Sequence, residues 1–360
     1  MIEPAEIARR RLVHQHLWAP QPVAPEAVVA RMGAMQAQEI GPARWAIGQR
    51  ALGLTDTDVQ RAYADGRILR THLLRPTWHF ACPQDLRWLL TATAPGVRRV
   101  NATMERTLGV EGLAQRSTPC LAAAVAGGHR TREELAAALA AAGLPATGPA
   151  LAYLLMEAEL NAVLCSGIPR SARPGGAERS TYAAFDERVP SAPPTPRPEA
   201  LARLATLFFT TRNPATRKDF MQWATLTAAD ANLALACAGL TPQTLQGRRW
   251  YGDLGHPAPP ADGRIDLVQS YDECLLAYTE TKDIHFEPGT PRLDRPPLLH
   301  AVLQDGRIIG HWRPRPGKTL TLDVLPLRPF RPAETDALDA AAQRYASFVD
   351  QPATWSWVSG

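Results

Sequence analysis

Lysine is almost missing from this chain. Only Lys218, Lys282 and Lys318 occur in 360 residues, which confines any chemistry that needs a lysine amine to three positions. Cysteine is scarce and scattered: Cys82, Cys120, Cys165, Cys237 and Cys274 form no Cys-x-x-Cys pair and make an odd total. That argues against a zinc site or a disulfide framework and for single buried thiols in a reducing cytoplasm. No apolar run approaches the ~20 residues of a membrane span. Met1-Ile2-Glu3-Pro4 lacks the charged-then-apolar order of an export signal. The nine histidines offer no pair at a metal-ligand spacing, and His14 and His16, two apart on a helix, diverge. The expectation is a cytoplasmic protein with no membrane contact, metal or cofactor.

What is present is a globular balance, 45% hydrophobic and 21% charged, in a chain long enough for two to four domains. The formal net charge is only +4, yet residues 1–100 hold 13 arginines against 8 acids, a surplus of five that covers it entirely. Arginine is the planar, bidentate phosphate ligand, so this basic end could meet nucleic acid. An arginine-, alanine- and proline-rich composition also reflects genomic base bias, which weakens the argument without removing the asymmetry.

Within that end lies Gly33-Ala34-Met35-Gln36-Ala37-Gln38-Glu39-Ile40. Val28, Val29, Met32 and Met35 keep helical spacing and predict a helix over 25–37, stopped by Gly41-Pro42. Residues two apart do not face each other on a helix, so Gln36 and Gln38 converge only where the backbone leaves helical geometry. The pair is then either a frayed polar helix end or an amide clamp. Glu39 is the one carboxylate in the stretch.

The surrounding order is helices followed by hairpins, repeated. A basic amphipathic helix over 5–18 carries Arg9, Arg10 and Arg11; helices at about 43–52 and from Thr55 through Tyr63 follow. Residues 68–82 read as a β-hairpin around Arg75-Pro76. The order returns after Pro83: a capping box at Thr131-Arg132-Glu133-Glu134, a strong helix over 150–160, a strand over 162–167, a loop from Pro169 to Ser180 and a return strand from Thr181. A proline-rich linker precedes a third statement, with helices at about 199–209, 216–224 and 227–238 and a strand over 245–251. Beyond Ile265 the text is β-rich, with strands at 265–269, 298–303, 307–312 and 319–324, an Asp305-Gly306 hairpin signal, a helix at 333–349 and a loose tail. The reading is a mainly α chain with β wings (α+β): winged-helix regions over 1–93 and 94–189, linker 190–198, a third over 199–260, a β-rich barrel-like domain over 261–350 and a tail over 351–360. The helices-then-hairpin order is that of a winged helix-turn-helix.

Five segments in order, Leu12 to Leu17, Gly33 to Glu39, Arg70 to Phe80, Tyr271-Asp272-Glu273 and Asp305 to Arg313, resemble the signature segments of the bacterial winged-helix DNA-binding family of AlkZ- and YcaQ-type glycosylases, the azinomycin-resistance group. The resemblance spans nearly the full length. It implies tandem winged helices and a β-rich C-terminal domain in a C shape around a concave DNA channel. It also implies a catalytic glutamine–aliphatic–glutamine motif, matched by Gln36-Ala37-Gln38, where the other branch has aspartate second. The segment after Tyr271-Asp272-Glu273 departs from the family pattern: Ala277 to Lys282 replaces an arginine-bearing stretch.

The implied function is a glycosylase, acting as a monomer on double-stranded DNA that carries bulky N7- or N3-alkylated purines, unhooking cross-links and giving self-resistance to a genotoxic natural product; with none of the three lysines near the motif in sequence, the enzyme is expected to be monofunctional. Gln36 and Gln38 would hold the water, with Glu39 as the rival catalytic carboxylate. Arg70, His72, Arg75, Trp78 and His79 on the hairpin, with Arg9 and Arg10, would contact DNA. Trp78 reads equally as core, and the arginine run as a solvated face. Two other classes stay open on the residues: a winged-helix regulator without chemistry, and a drug-sequestering protein.

Overall fold

A computed structural model describes residues 2–171, 178–255, 258–287, 289, 300–317 and 319–358. Lys318, residues 172–177 of the expected loop, Leu298 and Leu299 of an expected strand, and the last two residues of the tail lie outside the described residues.

The N-terminal helix α1 (Pro4–His14) stops earlier than its apolar spacing suggests, because His16 turns into the left-handed region at φ 57°. Helix α2 (Pro25–Met32) is likewise shorter than predicted. Gly33 takes φ +72°, and Met35–Gln36 leaves the helix as a two-residue strand, β1. Met35 satisfies both periods, which is why periodicity alone extended the helix. Gly41-Pro42 does not stop a helix but opens one, in the first turn of α3 (Ile40–Gly48). Helix α4 (Asp56–Ala64) starts at Thr55 with a complete capping box.

The expected hairpin forms as β2 (Leu69–His72) and β3 (Trp78–Ala81), and β1 joins it in the order β1-β3-β2. Register pairs Gln36 with His79 and His79 with Thr71, one row across the sheet. Helix α5 (Pro83–Thr107) then runs unbroken across the 93/94 boundary set from sequence, with Pro95 inside it. Helices α6 (Ala114–Val125), α7 (Arg132–Ala141, capped by Thr131) and α8 (Gly148–Leu160) surround a sheet of β4 (Arg130–Thr131), β5 (Leu164–Ser166) and a later strand. Between these, β6 (Arg170–Ser171) and β7 (Glu178–Arg179) make a small ribbon, and β8 (Thr181–Ala184) completes the order β4-β8-β5.

A short helix, α9 (Phe185–Arg188), leads through the proline-rich linker to α10 (Arg197–Thr211), α11 (Arg217–Ala224), α12 (Ala228–Cys237) and a hairpin of β9 (Gln243–Leu245) and β10 (Arg248–Trp250). The last sheet, β11 (Ile265–Val268), β12 (His300–Gln304), β13 (Arg307–Arg315) and β14 (Leu320–Pro326), is antiparallel. A single helical turn, α13 (Glu273–Leu276), lies between β11 and β12. Asp305 and Gly306 both have positive φ, 49° and 83°, as a two-residue type I′ turn requires. The expected tail is instead partly a strand: α14 (Pro332–Val349) crosses over and β15 (Ala353–Trp357) adds parallel to β14.

Two cores fix what this frame can position. Side chains of α2, α3, α4 and Phe80 bury against β11–β14 and α14, so residues 28–82 share a core with residues 265–353. Leu69, Ala81 and α5 bury against α10–α12, with Ala34 and Tyr278 in the same cluster. The β1-β3-β2 sheet lies where these two cores meet. Among the described residues no helix is long and apolar enough to cross a membrane.

Candidate functional site

Residues 32–38 are an irregular segment whose backbone is satisfied by distant side chains. Arg212 Nη1 donates to the Met32 carbonyl at 3.0 Å and Nη2 to that of Ala34 at 2.9 Å. The Gln36 N–H donates to Glu273 Oε1 at 3.1 Å, and the Ala37 N–H to the Trp78 carbonyl at 2.8 Å. Arg70 Nε and Nη2 donate to the carbonyls of Ala37 and Gln38 at 2.8 and 3.2 Å. A chain held at so many polar groups is preorganised, since the ordering entropy is met in folding rather than on binding.

The amide of Gln36 is fixed as firmly. Arg75 Nη2 donates to Gln36 Oε1 at 2.7 Å, which dictates that the oxygen faces the guanidinium. Nε2 has no hydrogen-bond partner among the described residues. Gln36 is 5% exposed, yet its surroundings are polar: Arg75, His79 and Glu273. Gln38 is exposed, in the bend that follows the two-residue strand. Glu39 is the exposed N-cap of α3, and its side chain caps nothing.

Glu273 is the buried hub. Its Oε2 accepts from Arg212 Nε (3.0 Å), Arg212 Nη2 (2.8 Å) and Trp223 Nε1 (2.8 Å). Burial raises its pKa, but Arg212 and Arg75 outweigh that and hold it at about 2. It is a fixed anion. His79 goes the other way: burial and Arg75 push it down to about 3, so it is neutral. Its Nδ1 donates to the Thr77 carbonyl, leaving Nε2 as an acceptor 3.5 Å from Arg75 Nη2. Arg75 itself sits at φ 56°, a left-handed conformation costing an arginine about 1–3 kcal/mol, with Nη1 tied to the Trp223 carbonyl at 3.1 Å.

On the other face of the hairpin, Arg70 stacks over the half-buried Trp78 at 4.3 Å, and the Trp78 ring lies 4.4 Å from that of His72. His72 Nδ1 pairs with Glu159 of α8. His72 and His79 are 4% and 0% exposed. The structure therefore sets both behind the surface, bracing the hairpin rather than presenting a ring outward. The arginine run is also internal. Arg10 binds Glu6 and the Asp253 carbonyl, Arg11 binds Thr281 and the Pro214 carbonyl, and Arg9 Nε reaches the Pro259 carbonyl. These guanidiniums lash α1 to the third and last parts of the chain, because the helix face read as solvated is the one that packs.

Arg212, Glu273 and Trp223 are the members that sequence reading missed as site residues. Glu273 was visible only as an acid in Tyr271-Asp272-Glu273; its neighbour Asp272 has the separate task of pairing with buried Arg50 at 2.6 Å. Among the described residues no cluster of three or more His, Cys, Asp or Glu could hold a metal ion.

Set beside known proteins, this frame of helices and small sheets belongs to the class of DNA glycosylases. The fold is shared with the Streptomyces sahachiroi DNA glycosylase AlkZ at a TM-score of 0.79, 20% identity, and coverage of 98% of this chain and 99% of that one. No curated protein sequence matches. Residues 29–348 match the family described as DNA glycosylase AlkZ-like, and the chain belongs to it: it is a DNA glycosylase enzyme of the AlkZ-like family.

Proposed function

We propose that this chain is a monofunctional glycosylase for bulky N7- or N3-alkylated purines in double-stranded DNA. In this reading it works as a monomer in the cytoplasm, opens interstrand cross-links at the same bond, and serves self-resistance to a genotoxic natural product. The supporting observation is the preorganised Gln36-Ala37-Gln38 segment, with the Gln36 amide locked by Arg75.

The chemistry needs little acid catalysis. An N7- or N3-alkylated purine carries a positive charge, so the C–N bond breaks with its electron pair going to the ring and the base leaves neutral. What remains is to hold a water against the anomeric carbon of an oxocarbenium-like sugar. With Oε1 engaged by Arg75, Gln36 has one oxygen lone pair and its Nε2 for that water, and Gln38 supplies the second amide. The water oxygen bonds to the sugar carbon and its proton leaves to solvent, with exposed Glu39 the nearest carboxylate in sequence. An aspartate at position 38 would add a general base; glutamine suits leaving groups that are already activated.

In the same reading the three helix-and-hairpin units are tandem winged helices lining a C-shaped, concave channel. Arg70 and Trp78 meet the DNA, while Arg75, His72 and His79 hold the hairpin behind them. The cations nearest Gln36 are guanidiniums, which form no Schiff base, and this favours a monofunctional enzyme. The test is incubation with duplex DNA carrying N7-alkylguanine, followed by hot alkali. Wild-type protein should give strand breaks at the lesion, and the doubly substituted Gln36→Ala, Gln38→Ala protein should be slower by about 10²–10³-fold. An unchanged rate would remove both glutamines from the mechanism, and a borohydride-trapped adduct would remove the monofunctional assignment.

A further inference from the structure

A cleft of about 540 Å³ opens at the C-terminal end of α3, between the segment over 49–55, the start of β11 and one face of α14. Helix α3 spans nine residues, so about 13 Å of helix lies between this end and the glutamine segment. The floor of the cleft, Trp45 and Phe348, is closed core, and its mouth is what a ligand meets. There Leu52 is 56% exposed, a large apolar side chain standing in water, with half-buried Leu54 and exposed Ala340 also on the wall. Gln343 and Ser347, both exposed, add neutral polar groups from α14.

Two guanidiniums line this cleft against one carboxylate. Asp266 Oδ1 accepts from Arg264 Nε at 2.9 Å and lies 3.6 Å from Arg344 Nη2, while Oδ2 accepts from Trp18 Nε1 at 2.9 Å. Arg264 Nη2 donates to the Leu17 carbonyl at 2.9 Å, and Arg344 Nη2 to that of Ile265. Arg264 Nη1 and both Nε and Nη1 of Arg344 have no hydrogen-bond partner among the described residues. With Asp266 the one acid in the lining, and shared, one positive charge is left uncompensated. Burial lowers the Arg344 pKa; Asp266 opposes that and Arg264 adds to it, so this guanidinium is short of an anion.

We propose that this cleft binds a small organic monoanion with an apolar body, of the class of aryl carboxylates and sulfonates, its acid group on Arg344 and Arg264 and its body against Leu52. The single surplus charge matches a monoanion, and the planar guanidinium fork suits the oxygens of such an acid group. The volume lies within the ~300–1,000 Å³ of small-molecule sites, which combine apolar walls with a few placed polar groups. A DNA phosphodiester carries the same charge but brings no apolar body to cover Leu52. The cleft stands apart from Gln36, so the proposal does not depend on the glycosylase reading.

The test is a fluorescence titration of the full chain at pH 7 with 8-anilinonaphthalene-1-sulfonate, a sulfonate on an aromatic body, and with N-phenyl-1-naphthylamine, the same body without the charge. Wild-type protein should bind one sulfonate dye per chain, about tenfold more tightly than the uncharged one. Arg344→Gln, checked by thermal melting, should lose that tenfold preference and bind the uncharged dye as before. Leu52→Ser, a change at an exposed position that leaves the fold intact, should weaken both dyes. Equal affinity for the two dyes, several sulfonate dyes per chain, binding of neither, or wild-type binding by both folded variants would overturn the site. Displacement of the bound dye by undamaged duplex DNA would assign the cleft to the phosphate backbone and overturn the small-molecule proposal.

Discussion

Replacing Glu273 with glutamine removes one charge and keeps the shape, and the structure says which contact then fails. Oε2 receives three donors and Oε1 receives one, the Gln36 N–H. The new amide will place its oxygen where three donors converge and turn its NH₂ group toward the Gln36 N–H, donor against donor. The motif strand thus loses its anchor while Arg212, fully buried, loses its counter-charge. Breaking a buried pair by removing one partner costs about 3–5 kcal/mol. A second route agrees: a carboxyl held at about 2 in the fold against its ordinary 4.5 is worth about 3 kcal/mol. At about 2–4 °C per kcal/mol, the melting temperature at pH 7 should fall by roughly 6–12 °C. The pH dependence has a definite sign. The unfolded carboxyl takes its proton first as pH falls, so the wild-type advantage is complete above pH 4.5 and is lost progressively towards pH 2, a change the glutamine variant lacks. Melting of both proteins between pH 7 and pH 3, with excision measured at pH 7, checks this. A variant within 1 kcal/mol of wild type at pH 7, or a gap that stays constant as pH falls below 4.5, would refute the assignment of Glu273 as a charged anchor.

Three further outcomes follow from particular contacts. Arg75→Met frees the Gln36 amide, and single-turnover excision should slow by about 10²-fold while DNA affinity changes little; equal losses in both would make Arg75 a DNA ligand instead. Arg70→Gln removes the stack on Trp78 and two carbonyl contacts, and in titrations at several salt concentrations the slope of log affinity against log salt should shrink by about 1 if this guanidinium meets a phosphate. Gly96→Ala would place a methyl 2.2 Å from the Thr225 carbonyl oxygen, so urea unfolding should show about 1–3 kcal/mol of destabilisation, and an unperturbed variant would mean that α5 does not pass this close to the end of α11.

The parts of this molecule that could be read from sequence are those determined by near neighbours. The capping box at Thr131, the helix start within Thr55 to Asp58, the hairpin of residues 69–81 and the Asp305-Gly306 turn each depend on residues close along the chain, and each formed where expected. The errors have one physical origin in partners far along the chain. Met35 and Gln36 become a strand because Phe80 and His79 pair with them, a contact that helical spacing in residues 28–35 cannot announce. Ala353–Trp357 is ordered because the edge of β14 is free to receive it. Glu273 lies 237 residues from Gln36 and 61 from Arg212, so its role was invisible although its acidity was plain. The arginine run misled for the same reason: a guanidinium spent on a remote carbonyl looks, in one dimension, like one waiting for a phosphate.

The distance that hid the Glu273 anchor also has a consequence in time. The ribosome delivers Gln36 early, whereas Arg212 and Glu273, which pin the carbonyls and the amide around it, emerge much later. Until they arrive, the nascent glutamine strand has the hairpin of residues 69–81 beside it but not the clamps on Met32, Ala34 and the Gln36 N–H. On the reading proposed above, an enzyme that severs bases from DNA would acquire its edge only when synthesis has passed the last clamp, and truncated products would be blunt rather than stray blades among the chromosome's sugars.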